Sequence, residues 1–527
     1  MLKRISFTSI TESTLFFYFV LIINVLFVCS TRFYPSIDGP AHLYNANMLN
    51  SLLSGNNTVN DFYIINKMPI PNWTSEFILS FSHLFLLGFL SEKVFLIVYI
   101  VGMAIGFRYL VKVLNPKNIS LSIIIFPFIY SFLFHLGFYN FSISFVIFFF
   151  SLGFGIKTLS NKSIGNYIIL VVLISLLYFS NILMLFFLGL TLGLYCIYLM
   201  YEYYIENKDF KKVITFGGSK LLVVFLCTLP SLICLLIFYK NVVFFPSNVR
   251  IPTKELVQWL NDGRALIVFD YVGEQLITNQ FIHILILLLV ISFLGIKKTN
   301  YFSFRKIDVL VIPLIVSLIL FFIIPDGASA TMMSQRYCYI FTIFLLIWSI
   351  TRAIPGKYNS VVIIIVLLLH LGLLFKHRNG TIKGINKDAI SYYKTSECIE
   401  KNSIVLPVNV SDNWIEIHFS NYLGIDKPMI ILENYEASVG WFPLKWNWEK
   451  MPNVCIANKS SLSEVQWPTN PNSPNKRQVN YIVVSGSLDK LNDQKWKELK
   501  DIISVYFKVK YISDDGNVTL FKSILVK

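Results

Sequence analysis

Residues 75–90 read Ser75-Glu76-Phe77-Ile78-Leu79-Ser80-Phe81-Ser82-His83-Leu84-Phe85-Leu86-Leu87-Gly88-Phe89-Leu90. The orientation of the rest of the chain depends on where this stretch lies. It is nearly apolar enough to cross a bilayer, but Ser75, Glu76, Ser80, Ser82 and His83 project within roughly half of a helical wheel. A one-sided polar stripe predicts a helix lying in the interface rather than a span. Loop charge points the same way. If 75–90 crossed, Arg108, Lys112 and Lys117 would be outside, with most later basic loops. With 75–90 flat, Val94–Leu110 spans inward and those three residues are inside. Lys157 and Lys162, then Lys208, Lys211, Lys212 and Lys220, then Lys297, Lys298, Arg305 and Lys306, and finally Arg352 and Lys357 all follow them to the inner side.

The composition requires a membrane reading. Of 527 residues, 55% are hydrophobic and only 14% charged, which is too apolar for an ordinary soluble domain. The net charge of +15 sits in short loops between apolar runs, a positive-inside pattern and not a nucleic-acid footprint. The 47 phenylalanines and 28 tyrosines suit lipid-facing and interfacial positions. Met1-Leu2-Lys3-Arg4 precedes the first apolar run without a small-residue cleavage site, which predicts an uncleaved signal anchor with an inner N-terminus.

The predicted spans are Leu15–Cys29, Val94–Leu110, Ile119–Phe134, Phe141–Ile156, Tyr167–Ser180, Ile182–Met200, Leu221–Tyr239, Phe281–Ile296, Val309–Ile324, Tyr337–Ile350 and Val361–Phe375. These make about eleven crossings of a bilayer core ~30 Å thick. Pro127 and Pro230 fall inside spans and predict kinks. Residues 1–378 form the membrane domain, with an outer loop 31–92 that contains interfacial helices. The odd number of crossings places residues 379–527 outside with that loop. No internal repeat of the kind found in transporters is present.

The hydrophilic tail reads as a small α/β domain. Ser403–Val410 and Tyr481–Ser485 are predicted strands and Asp493–Ile503 a helix. Val505–Ser513 and Asn517–Ser523 flank the turn signal Asp514-Asp515-Gly516 and predict a terminal hairpin. The aromatic run Gly440–Trp448 suits membrane docking, sugar stacking or packing against another part of the chain. Of the seven cysteines, only Cys398 and Cys455 lie in the tail, where an oxidising compartment would let them pair, and no metal-type cysteine spacing exists.

The densest concentration of candidate chemistry follows the first span, at Ser36-Ile37-Asp38-Gly39-Pro40-Ala41-His42-Leu43-Tyr44-Asn45-Ala46. A helix starting at Gly39-Pro40 puts Asp38 and His42 at its first turn, with Asp38 in the N-cap position. Asp38 is either a cap or a base, and His42 a surface residue or a site residue. Three other outer segments carry candidates. The loop from Lys240 to Gln280 holds Arg250, Lys254, Asp262, Arg264, Asp270 and Glu274. The short loop His135–Asn140 is polar and aromatic. The loop Pro325–Arg336 runs straight into a span, and Arg336 at its mouth is either a snorkelling side chain or a phosphate clamp.

Three features carry a family resemblance. The first is Ile37-Asp38-Gly39-Pro40-Ala41-His42-Leu43-Tyr44 just after the first span, followed by a helix through Met48, Leu49 and Leu52. The second is Pro69-Ile70-Pro71-Asn72-Trp73 before the flat amphipathic helix. The third is the late outer Gln335-Arg336-Tyr337 entering a span. In this order and sidedness the chain resembles the GT-C glycosyltransferases, the polytopic class that includes protein mannosyltransferases and bacterial lipid A aminoarabinose transferases. One departure is plain: many members carry a second acid in a later outer loop, and His135–Asn140 has none.

The resemblance implies an integral protein of a bacterial inner (plasma) membrane, with the tail extracytoplasmic. The enzyme would move a sugar from a polyprenyl-phosphate donor to a lipid, glycan or protein acceptor, with inversion at the anomeric carbon and no nucleic acid partner. Asp38 would be the general base. His42, Tyr44, Glu76, His135, Asn140, Arg264, Arg336 and Tyr337 are the expected substrate-binding residues. Arg336 would stabilise the leaving phosphate, and Asp38, His42 and Arg336 are expected to line one outward cavity. No metal set is assigned, although His42 leaves a divalent metal open. The competing classes are a polysaccharide polymerase and a non-enzymatic lipid or saccharide transporter.

Overall fold

The structure is a computed structural model that describes residues 11–160, 163–242, 247–296, 305–327, 331–354 and 358–525. The signal-anchor residues 1–4, the basic positions Lys162, Lys297, Lys298 and Lys357, and Ala328-Ser329-Ala330 lie outside the described residues. The chain forms two compact units. One comprises Met1–Phe27, Ile97–His135 and Asn140–His377, the other Val28–Leu96, Leu136–Tyr139 and Arg378–Lys527.

The first unit is helical. Across the described residues the chain has eight helices long and apolar enough to cross a membrane: Gly88–Leu114, Tyr139–Ser160, Ile182–Asn207, Phe210–Asn241, Tyr271–Leu294, Lys306–Ile323, Met333–Arg352 and the start of Asn359–Cys398. Three shorter apolar helical stretches, Thr14–Cys29, Pro116–Ile129 and Ile164–Ser180, coincide with the other expected spans. The expected span Ile119–Phe134 is not one helix. A 3-10 segment, Pro116–Ile125, leads into Phe126–Ile129, and a new turn forms at Phe132–His135. Pro127 cannot donate to the ladder, and Tyr130 leaves the helical region at φ −92°, ψ 56°. Pro230, by contrast, is carried within the continuous helix Phe210–Asn241. Several polar side chains inside this unit find partners: Asp308 meets Arg352, and the Asn118 amide donates to the carbonyls of Ile350 (2.8 Å) and Ala353 (2.7 Å).

The second unit is built around a five-stranded sheet ordered Ile430–Ile431, Ile404–Asn409, Tyr481–Ser485, Val518–Ser523, Phe507–Ile512. The first three strands run parallel, and the last two form the antiparallel hairpin expected around Gly516, whose φ of +72° suits the turn. The near-continuous apolar run of Tyr481–Ser485 reflects its central place, since it is buried along its whole length. The helix Lys497–Tyr506 matches the expected one with a later start, because Gln494–Trp496 is a 3-10 turn. Within the aromatic run, Leu444–Trp446 pairs antiparallel with Tyr63–Ile65, and the Trp446 ring stacks on Tyr63 at 4.4 Å. Trp446 is thus a packing residue, while Trp448 is exposed. Cys398 and Cys455 are both free thiols.

Two helices from residues 31–92 matter most to this unit: Gly39–Leu53 and Thr74–His83. The second is the core of the stretch Ser75–Leu90. At ten residues it is ~15 Å long, too short to cross a bilayer. Its polarity is inverted relative to a soluble protein. Ser75, Glu76, Ser80 and Ser82 are buried, whereas Phe77, Phe81, Leu84 and Phe85 are exposed. Asp426 accepts from the backbone N–H of Gly88 (2.6 Å) and from the Tyr393 hydroxyl (2.8 Å), and so holds the start of the next long helix.

Candidate functional site

The helix Gly39–Leu53 begins where Pro40 supplies a fixed φ in the first turn and needs no N–H. Asp38 occupies the N-cap position, yet its side chain makes no capping hydrogen bond. The carboxylate instead lies 3.8 Å from Nε2 of His418 and accepts from the Tyr435 hydroxyl. His418 Nδ1 pairs with Glu433, and its ring stacks on Tyr435 with centroids 4.3 Å apart. The result is a carboxylate–imidazole–carboxylate array, Asp38–His418–Glu433, whose three side chains are 14%, 15% and 25% exposed. Burial alone would lower the pKa of His418, but Glu433, Asp38 and Glu436 outweigh it and raise the pKa.

One turn into the same helix, His42 organises a second array. Its Nδ1 is 2.6 Å from Glu76 Oε1 and 3.2 Å from Glu436 Oε1, with side-chain exposures of 5%, 2% and 0% for the three residues. Its Nε2 is 3.1 Å from the Gly137 carbonyl. Gly137 has φ +88°, and a Cβ there would lie 2.6 Å from the Gly39 nitrogen, so only glycine brings this carbonyl to the ring. Ser75 Oγ donates to Glu76 Oε2 (2.7 Å), and Asn45 Nδ2 donates to Glu436 Oε2 (2.5 Å). Burial disfavours a charged imidazole, but Glu436 and Glu76 overcome it and push the pKa of His42 up to about 10. Burial pushes the Glu436 carboxyl up, and the neighbouring carboxylates add to this.

The sequence-derived residues divide between the two units. Asp38, His42, Tyr44 and Glu76 lie in the second unit; His135, Asn140, Arg264, Arg336 and Tyr337 lie in the first. Tyr44 is fully buried. Its hydroxyl donates to the Met429 carbonyl (2.9 Å) and accepts from the Ile431 N–H (3.0 Å), tying the helix to the edge strand. His135 is buried, with Nδ1 3.0 Å from the Ser131 carbonyl and its ring edge-on to Phe269 and His377. Asn140 is buried one residue into the helix Tyr139–Ser160. The Arg264 guanidinium lies over Phe132 at 4.4 Å and donates to the Ile267 carbonyl (2.8 Å). Arg336 is half-buried over Phe141 at 5.3 Å and donates to the Thr331 carbonyl (3.1 Å), while Tyr337 is buried.

Four residues of these arrays were not singled out from the sequence: His418, Glu433, Tyr435 and Glu436. One local signal was present. Glu433-Asn434-Tyr435-Glu436 places two acids three residues apart directly after the apolar run Met429–Leu432, and acids following a buried strand must find partners. No protein-family model matches the chain, and no curated protein is similar to it.

Proposed function

We propose that the chain is a polytopic membrane glycosyltransferase with about eleven spans, its N-terminus cytoplasmic and its second unit extracytoplasmic. It moves a sugar from a polyprenyl-phosphate donor to an acceptor hydroxyl, with Asp38 as general base. The observation that carries this is the disposition of Asp38. An acid at an N-cap normally bonds to its own helix; this one is turned to His418 and Tyr435 and keeps some solvent access. The proximity of a protonated His418 would favour the carboxylate form, which is the form a base requires.

In the step itself, the acceptor oxygen forms a bond to the anomeric carbon and its proton passes to Asp38. The bond between the anomeric carbon and the donor's phosphate oxygen breaks, and polyprenyl phosphate leaves. A single displacement inverts the anomeric centre. The inverted amphipathicity of Thr74–His83 supports a place in the membrane interface, where exposed Phe77, Phe81 and Phe85 meet lipid.

Transfer from a polyprenyl-phosphate sugar in liposomes tests the proposal. Asp38→Asn is nearly isosteric but cannot take the proton, and turnover is expected to fall by ~10²–10⁴. Full activity in a folded Asp38→Asn protein removes the assignment.

A further inference from the structure

We propose that Nδ1 of His42, Oε1 of Glu76 and Oε1 of Glu436 hold a first-row divalent cation of the Mn²⁺ or Zn²⁺ class within the second unit. The site does not depend on the glycosyltransferase reading.

Convergence comes first. One ligand atom from each residue lies within 4.8 Å of the others, and all three residues are buried. The tautomer comes second. A backbone carbonyl can only accept, so Nε2, 3.1 Å from the Gly137 oxygen, carries the hydrogen. In the neutral ring the lone pair is then on Nδ1, aimed at the two carboxylates. An N–H···O=C bond on the far nitrogen is the usual means of orienting a metal-bound histidine. Third, the outer oxygen of each glutamate is held from behind, Glu76 by Ser75 Oγ at 2.7 Å and Glu436 by Asn45 Nδ2 at 2.5 Å. All three ligands thus have their far atoms hydrogen-bonded to groups outside the trio.

Charge selects a divalent ion. When both carboxyls are ionised they carry two negative charges; a proton on His42 offsets one and a divalent cation offsets both. The imidazole nitrogen favours a transition ion over Ca²⁺ or Mg²⁺, which take oxygen donors. The three ligands come from three segments, the helices Gly39–Leu53 and Thr74–His83 and the turn beginning at Glu436. A bound ion would therefore clamp this turn to the two helices.

The test uses the full chain in detergent, stripped with a chelator and titrated with MnCl₂ or ZnCl₂, followed by calorimetry and by electron paramagnetic resonance of bound Mn²⁺. The expected result is saturable binding of about one ion per chain, with a ¹⁴N coupling from a single imidazole in the pulsed spectrum. Glu436→Gln abolishes it, and Ser75→Ala, which leaves the ligands in place, weakens it by ~10–100-fold. Absence of saturable binding, bound Mn²⁺ without nitrogen coupling, or unchanged affinity in Glu436→Gln overturns the site. If Glu436→Gln fails to fold, the wild-type nitrogen coupling and the Ser75→Ala affinity decide. None of these readouts involves sugar transfer, so the site and the enzymatic reading fail separately.

Discussion

The second unit holds two carboxylate–imidazole–carboxylate arrays made of the same residue types, and they differ chiefly in water. In Asp38–His418–Glu433 every side chain keeps 14–25% of its exposure, whereas in Glu76–His42–Glu436 none exceeds 5%. Tyr435 touches both, donating to Asp38 and lying 3.5 Å from Glu436 Oε1. Burial decides what the shared chemistry does. A carboxylate that water and substrate can reach exchanges protons; one sealed with its partners contributes fixed charge and geometry. Mutations in the open array should therefore appear in turnover, and mutations in the sealed array in stability.

The largest effect expected from breaking this contrast is in the sealed array. His42→Ala leaves two buried carboxylates without their partner and should cost about 3–5 kcal/mol, read by chemical denaturation of the purified protein. A cost below ~1 kcal/mol, the scale of exposed pairs, would erase the distinction between the arrays. Gly137→Ala comes next. It forces a side chain into the left-handed region and displaces the carbonyl that orients His42, at a cost on the order of 1–3 kcal/mol, visible as a lowered Tm. Tyr435→Phe, which removes one hydroxyl between the arrays, should cost only ~0.5–1.5 kcal/mol, read by the same denaturation. A larger loss would mean that the two arrays act as one network.

The smallest expected effect is in pH dependence. Tyr435 stacks on His418, and although burial lowers the pKa of this histidine, Glu433, Asp38 and Glu436 raise it above the unfolded value. The stability it contributes is therefore complete below pH ~6.5 and declines as pH rises through the folded pKa. Denaturation of wild type and His418→Gln from pH 6 to 9 should show the gap between them closing as pH rises. A gap that widens would reverse the sign and contradict a cationic His418.

Much of the second unit was legible in the chain. Alternation and turn chemistry gave the Asp514-Asp515-Gly516 hairpin, and the Gly39-Pro40 step gave the helix that presents Asp38 and His42. The stripe Ser75, Glu76, Ser80, Ser82, His83 marked a helix that does not cross. The side to which that stripe turned was not legible, since periodicity fixes a face but not what covers it. The partners of Asp38 and His42 were hidden for a related reason. His418 and Glu436 reach them through a parallel sheet and irregular turns, and no local period records a pairing of that range. Helix propensity also overstated Ile119–Phe134, where Pro127 and the backbone at Tyr130 divide an apolar run into short turns.

The second unit is assembled from segments far apart in the chain, and this sets an order of events during synthesis. Asn45 and its partner Glu436 are separated by 391 residues. At ~5–20 residues per second, roughly 20–80 s pass between emergence of the first ligand helix and arrival of the last carboxylate. Over that interval His42 and Glu76 have each other but not the carboxylate that the tail brings. A stop codon anywhere before Glu436 would therefore leave the pair His42–Glu76 without the acid that completes it.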